Sequence, residues 1–127
     1  MIVADASVIT ASLTGSVVAQ EMLAEEQVQV PTVADIEVAS ALRKRVRLGR
    51  ITAVDGWRAL DAYRWMAVTR HSPFAFFDRI WELRDDLTAY DAAYVVLAEI
   101  IECPLVTGDA RLSRAPGLRC AVTVVPG

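Results

Sequence analysis

Histidine, lysine and cysteine are nearly missing from this 127-residue sequence, and each shortage removes a class of chemistry. With His71 as the single histidine, every Ser/His/Asp or Cys/His mechanism has to run through one residue in the polar stretch Arg70-His71-Ser72-Pro73. There an exposed, non-catalytic histidine is expected. Of the 13 basic residues only Lys44 is a lysine and the rest are arginines. The two cysteines, Cys103 and Cys120, fit neither a zinc spacing nor a disulfide framework. Each flanks an apolar run, so both are expected as buried free thiols in a reducing compartment. Positive charge is also short: the formal net charge is −3, so no bulk field attracts nucleic acid and any such binding must be local. No apolar run approaches the ~20 residues of a membrane span. An acid, Asp5, interrupts the N-terminus before a signal-peptide core develops. The expectation is a soluble, cytoplasmic protein with no membrane partner. Without repeats, low-complexity tracts or linkers, residues 1–127 are expected to form one domain.

What is present is a large apolar fraction, 54%, with 23% charged residues, enough to bury a core and to exclude disorder. Ile2-Val3-Ala4 reads as a short buried strand ending at Asp5, with helical sequence from Ser7. Residues 17–26 read as a small helix, and Val28-Gln29-Val30 as a second strand stopped by Pro31. Thr32 is expected to cap a helix through Leu48, closed by Gly49. Thr52 to about Met66 is helical, with Trp57, Leu60 and Trp65 spaced as a core stripe or a partner-helix face. An extended piece around Val68 precedes a helix from about Pro73 to Asp86. An almost wholly apolar helix follows from Tyr90 to Ile101, then strands at Leu105–Thr107 and Val122–Val125. Short apolar strands alternating with helices predict an α/β protein whose parallel sheet is covered on both faces. In such folds ligands bind outside the carboxyl ends of the strands.

Three acids stand where that architecture puts function. Asp5 follows the first strand, Asp109 follows Leu105–Thr107, and Asp91 opens the buried helix; Glu37 lies in the second turn of the helix after Pro31. Taken singly, each of the three aspartates has a capping explanation: Thr88-Ala89-Tyr90-Asp91 is a capping-box pattern, and Asp5 and Asp109 can be simple N-caps. Thr32-Val33-Ala34-Asp35 is a capping box too, which assigns Asp35 to stability. Glu21, Glu25, Glu26, Asp55, Asp61, Asp85 and Asp86 are explained by solvation. Convergence changes the reading of Asp5, Glu37, Asp91 and Asp109. Unpaired carboxylates gathered at one sheet edge repel, and a divalent cation resolves the repulsion. An all-oxygen donor set selects Mg²⁺ or Mn²⁺ over zinc or copper. Since Mg²⁺ takes only one or two carboxylates directly, Asp5 and Asp91 are the expected direct ligands. Glu37 and Asp109 then act on a second ion or through water. Such a site polarises a phosphoryl oxygen, acidifies water and stabilises a leaving oxygen, which is phosphodiester hydrolysis.

The stretches Ile2-Val3-Ala4-Asp5-Ala6-Ser7, Glu37-Val38-Ala39-Ser40-Ala41-Leu42-Arg43, Leu87-Thr88-Ala89-Tyr90-Asp91-Ala92-Ala93-Tyr94-Val95 and Leu105-Val106-Thr107-Gly108-Asp109-Ala110-Arg111-Leu112 together resemble a known family. It is that of the PIN-domain nucleases, in particular the VapC-type toxins of bacterial toxin–antitoxin pairs. They occur in family order across essentially the whole chain, and all four acidic positions match. The resemblance implies a three-layer α/β/α sandwich, Mg²⁺- or Mn²⁺-dependent endoribonuclease action as a toxin, and homodimers. It also implies inhibition by a cognate antitoxin, whose C-terminal segment lies along the protein near the acidic pocket. Ser7 and Thr107 match positions where the family carries a hydroxyl supporting the metal site; local capping is their alternative role. Arg43, Lys44, Arg45, Arg47 and Arg50 form the one basic run, fit either to track an RNA backbone or to complement a helix C-terminus.

Other readings fare worse. A phosphotransfer receiver domain needs a lysine closing its last active-site strand, and the only lysine is Lys44 on a helix. A haloacid-dehalogenase phosphatase needs Asp-x-Asp after the first strand, where this sequence has Asp5-Ala6-Ser7. A PIN nuclease of RNA maturation remains the enzymatic alternative. A module that holds RNA or antitoxin without cutting is the non-enzymatic one, and a lost acid, its discriminator, is not found.

Overall fold

The first strand is apolar at every position because both of its faces are covered. In the computed structural model, which describes residues 1–126, β1 (Ile2–Ala4) is buried throughout, as are β2 (Val28–Pro31) and β4 (Leu105–Thr107). β3 (Val68–His71) and β5 (Val122–Val124) are the half-exposed edges, and their sequences carry the polar residues edges tolerate. All five strands run parallel in the order β3-β2-β1-β4-β5. The chain therefore winds outward from β1 to β3, returns, and winds out the other way through β4 and β5. Its switch point lies between β1 and β4, where an open α/β sheet leaves a crevice.

Helices α1 (Ala6–Leu13), α2 (Val17–Ala24), α3 (Val33–Arg47) and α4 (Ala53–Arg64) pack on one another. The pair α5 (Phe77–Glu82) and α6 (Ala89–Ile100) forms the other cover, with α6 lying against β1, β2 and β4. Seven consecutive residues of α6, Ala92–Ala98, are buried, as its all-round apolar sequence requires. The expected α/β sandwich is the architecture found.

Six local expectations are corrected. Thr32 has helical backbone and makes no side-chain cap; Asp35 instead accepts from Tyr63 Oη at 2.7 Å and pairs with Arg70 at 2.9 Å. Pro31 is the last residue of β2, opposite His71, rather than a stop before it. His71 is half-buried at the end of β3, its Nε2 2.7 Å from Gln29 Oε1, so neighbouring strands claim it. The span Pro73–Asp86 divides into a 3-10 turn (Pro73–Phe76), the short α5 and a series of turns. Trp57 and Trp65 are exposed, which removes the core reading of that stripe and leaves the partner face. Of the two free cysteines Cys103 is buried and Cys120 only half-buried, its thiol pushed up to about 11 chiefly by burial.

Candidate active site

Asp5 leaves β1 with extended backbone and caps α1: its Oδ1 accepts from the N–H of Ser7 at 3.0 Å and of Val8 at 3.3 Å. The capping role is thus real, yet it does not exhaust the residue. Oδ1 also receives the Ser7 hydroxyl and Oδ2 the Thr107 hydroxyl, in a side chain only 7% exposed. Ser7 Oγ in turn accepts from the Gly108 N–H at 2.9 Å, and Thr107 Oγ1 from the Asp109 N–H at 3.0 Å. Neither hydroxyl is confined to local capping. Both tie the end of β1 to the end of β4 around one carboxylate. A Cβ at Gly108 would stand 3.1 Å from Ser7 Oγ, so a larger residue there has to displace that hydroxyl by a few tenths of an ångström. With one hydrogen bond to Oδ2, Asp5 keeps a lone pair to offer.

Asp91, in the first turn of α6, donates its N–H to Thr88 Oγ1 at 3.1 Å, and among the described residues only this half of the capping box forms. Its carboxylate lines a cleft of about 260 Å³ with Thr88, Asp109 and Arg111. Burial raises its proton affinity, and the charges of Asp109 and Asp5 add to the rise. Asp109 caps the 3-10 turn Ala110–Arg114 and is bound by the Arg111 guanidinium at 2.7 Å, which holds its carboxyl below the usual range.

Glu37 reaches in from α3. Its Oε1 is buried without a hydrogen-bond partner, and so is the Tyr94 hydroxyl of α6. The two groups lie close enough for each to affect the other's protonation. Burial pushes the Glu37 carboxyl up and the Tyr94 hydroxyl opposes this, while Asp91 and Asp5 reinforce it. Tyr94 is raised as well, by burial and then by Glu37. Sequence reasoning quoted Tyr94 but gave it no role; the signal was its spacing three residues after Asp91, which places both on one helix face.

The four acids thus share one sheet edge, with Asp91 electrostatically linked to Asp5, Glu37 and Asp109. They do not form a closed cage. Among the described residues, no three His, Cys, Asp or Glu side chains stand close enough to hold one ion together. Asp5 and Asp109 are each turned to their own donors, whereas Glu37 Oε1 has none. A hard cation that keeps its waters needs only one or two of them directly, so the set suits Mg²⁺ or Mn²⁺ in donor type and number. The unpartnered, buried Glu37 Oε1 is the strongest single sign of fit. Asp35, by contrast, points to Tyr63 and Arg70, away from this group.

The basic run does not act as one patch. Arg45 and Arg47 are two residues apart, hence on opposite faces of α3. Arg45 lines a cleft with Ser7 and Gly108, whereas Arg43 and Arg47 line a groove with Trp57 and Leu60 of α4.

Residues 2–118 match the PIN domain. Ribonuclease VapC9 of Mycobacterium tuberculosis is 48% identical over 126 residues, 99% of either chain. Ribonuclease VapC1 of the same species is 38% identical over 129 residues, covering 97% of this chain and 96% of the relative. The crystal structure of PAE2754 from Pyrobaculum aerophilum superposes with a TM-score of 0.72 at 27% identity, over 95% of this chain and 81% of that one. The structure of Mycobacterium tuberculosis VapC20, titled a sarcin-ricin loop cleaving toxin, gives 0.62 at 14% identity over 83% and 87% of the two chains; it shares the fold.

Proposed function

This chain belongs to the PIN-domain family and, within it, to the VapC-type ribonucleases, and on that premise we propose that it is the toxin of a toxin–antitoxin pair. Its reaction is endonucleolytic hydrolysis of RNA, dependent on Mg²⁺ or Mn²⁺, and its setting is the cytoplasm. The observation that carries this reading is the meeting of Asp5 and Asp109 at the β1/β4 switch point beside Asp91 and Glu37.

Asp5 and Asp91 would hold the cation directly, with Glu37 and Asp109 on a second ion or on intervening water. When bound, the cation supplies charge to a phosphoryl oxygen and acidity to water. The chain's own residues do the rest. Ser7 and Thr107 fix the Asp5 carboxylate in orientation, so it need not reorganise during the reaction. Glu37 Oε1, buried and unpartnered, is placed to hold a proton taken from water, a task that the rise in its proton affinity on burial favours. Arg111 keeps Asp109 anionic at the mouth of the cleft.

A homodimer and a cognate antitoxin belong to the same proposal. Trp57, Trp65, Phe74 and Trp81 are exposed and supply apolar surface for such contacts.

The test is cleavage of single-stranded RNA by purified protein in Mn²⁺, with chelator and with Asp91→Asn alongside. Cutting that needs the ion and vanishes in the folded variant is expected. Cutting that persists in chelated protein overturns the mechanism. An active, well-folded Asp91→Asn returns that residue to its helix-end role.

A further inference from the structure

The cleft of about 280 Å³ that contains Arg45 lies at the same sheet edge as the acids but holds none of them. Its walls bring together Ser7 and Thr14 of the first helical turn-and-end, Ser16, Arg45 and the backbone of Gly108. Arg45 is half-buried, and one of its Nη1 protons goes to Thr14 Oγ1, a hydroxyl itself anchored on the Thr10 carbonyl at 2.7 Å. A guanidinium carries five donors, so most of the fork stays available in a held position. Among the described residues Arg45 has no carboxylate partner, although the protein as a whole is acidic; Arg70, Arg79 and Arg111 are all paired. The cleft's other polar groups are neutral hydroxyls and backbone.

The concave site thus carries an unneutralised, pre-oriented planar cation. Ser7 joins it to the chemistry: the same hydroxyl that lines the cleft donates to Asp5. We propose that this cleft binds a backbone phosphate of single-stranded RNA adjacent to the bond being cut, with Arg45 as its anchor and Thr14 as the residue that aims it. The inference rests on the nuclease reading and narrows it. Of the five cations in the basic run, Arg45 is the one whose cleft shares Ser7 with the Asp5 carboxylate.

The experiment is anisotropy of a short fluorescein-labelled single-stranded RNA of mixed sequence, measured in chelator so that no cutting occurs, over a range of salt. Arg64→Gln removes an equal charge from the exposed end of α4 and serves as control. Arg45→Gln should weaken binding about tenfold. It should also flatten the salt slope by about 0.7, the value of one phosphate contact on a single strand. Arg64→Gln should leave the slope as in wild type. Thr14→Val, which keeps the charge but releases its anchor, should lose part of the affinity; it is the deciding variant if Arg45→Gln does not fold. Wild-type binding by Arg45→Gln, an unchanged slope, or equal losses in the control each overturn the proposal. So does protection of the wild type from melting by inorganic phosphate when RNA binding ignores Arg45, since the cleft then takes free anions only. Cleavage by the wild type in Mn²⁺, run in parallel, separates the two failures. Cut RNA with an indifferent Arg45 sinks the subsite alone, and uncut RNA with a responsive Arg45 sinks the nuclease reading alone.

Discussion

Asp35 and Glu37 sit two positions apart on α3 and therefore face different ways, and their fates show what a single residue's surroundings decide. Asp35 satisfies the hydroxyl of the buried Tyr63 and meets Arg70, whose guanidinium lies 5.4 Å from the Tyr63 ring centre. The ion pair is more than a third exposed and worth little by itself. The hydrogen bond is the part that counts, because its loss orphans a buried hydroxyl at a cost of about 1–3 kcal/mol. Asp35→Ala should therefore destabilise the protein by about 1–2 kcal/mol, and Asp35→Asn, which keeps an acceptor, by clearly less. Denaturant melts of both variants check this, and RNA cleavage should survive in each. Equal losses would return Asp35 to a purely electrostatic role. Glu37 and Tyr94 affect each other's protonation, and Tyr94→Phe tests that coupling. The hydroxyl opposes the upward shift of the Glu37 carboxyl, so removing it should raise that carboxyl further. The acid limb of the pH–rate profile should then move to higher pH, with little change in melting temperature. An unmoved limb would show the pair to be mere neighbours.

The elements owe their positions to a few contacts that are tight in one specific way. α3 and α4 approach closely at Gly56, which is buried and whose missing Cβ would stand 2.8 Å from Val46 Cγ2. Gly→Ala inside an exposed helix gains roughly 1 kcal/mol. Here the clash should outweigh that gain, since overpacking costs typically ~1–3 kcal/mol. Gly56→Ala is thus expected to lower stability, and Val46→Ala added to it should recover part of the loss, a coupling that a double-mutant cycle measures. A Gly56→Ala variant more stable than wild type would mean that α4 shifts at no cost. On the other cover Arg79 clamps α5 to α6, binding Glu99 through Nε at 2.9 Å and Nη2 at 3.1 Å and reaching the Gly117 carbonyl at 2.8 Å. Burial works against the Glu99 charge, but Arg79 and the Arg119 N–H prevail and hold its carboxyl below the usual value.

For the molecule as a whole, the acids make stability depend on pH and on divalent cations together. Glu37 and Asp91 have folded-state values above their ordinary 4.5 and 3.8. Their contribution to stability is fully present below those ordinary values and is lost as pH rises through the raised ones. Glu99 and Asp109 behave oppositely: their contribution is present above the ordinary values and falls away only at lower pH. A cation at the acid cluster offsets the first loss. Mn²⁺ should therefore raise the melting temperature in a concentration-dependent way at neutral pH. The gain should shrink as pH falls through the raised values of Glu37 and Asp91, where protons displace the ion. Differential scanning calorimetry over a pH series decides it; a gain that does not diminish on acidification would place the ion elsewhere.

Periodicity and composition determined much of this protein. The short apolar strands, the buried α6 and the three acids after strand ends or opening a helix were legible because burial on both faces leaves runs no other pattern imitates. The oxygen character of the donor set was legible too, since a chain with one histidine and two separated cysteines offers little else. Tertiary structure decided what depends on residues distant in sequence. The strand order, with β4 beside β1, brought Thr107 and Gly108 onto Asp5 and Ser7 across a separation of about a hundred residues. It gave Asp35 to Tyr63 instead of Thr32, opened the Trp57 stripe to solvent, and split the basic run between two faces of α3. A capping motif or a helical stripe records only what a segment offers locally. Which offer is taken depends on the partner that packing delivers, and a buried hydroxyl or an unpaired guanidinium outcompetes a backbone N–H that water can satisfy.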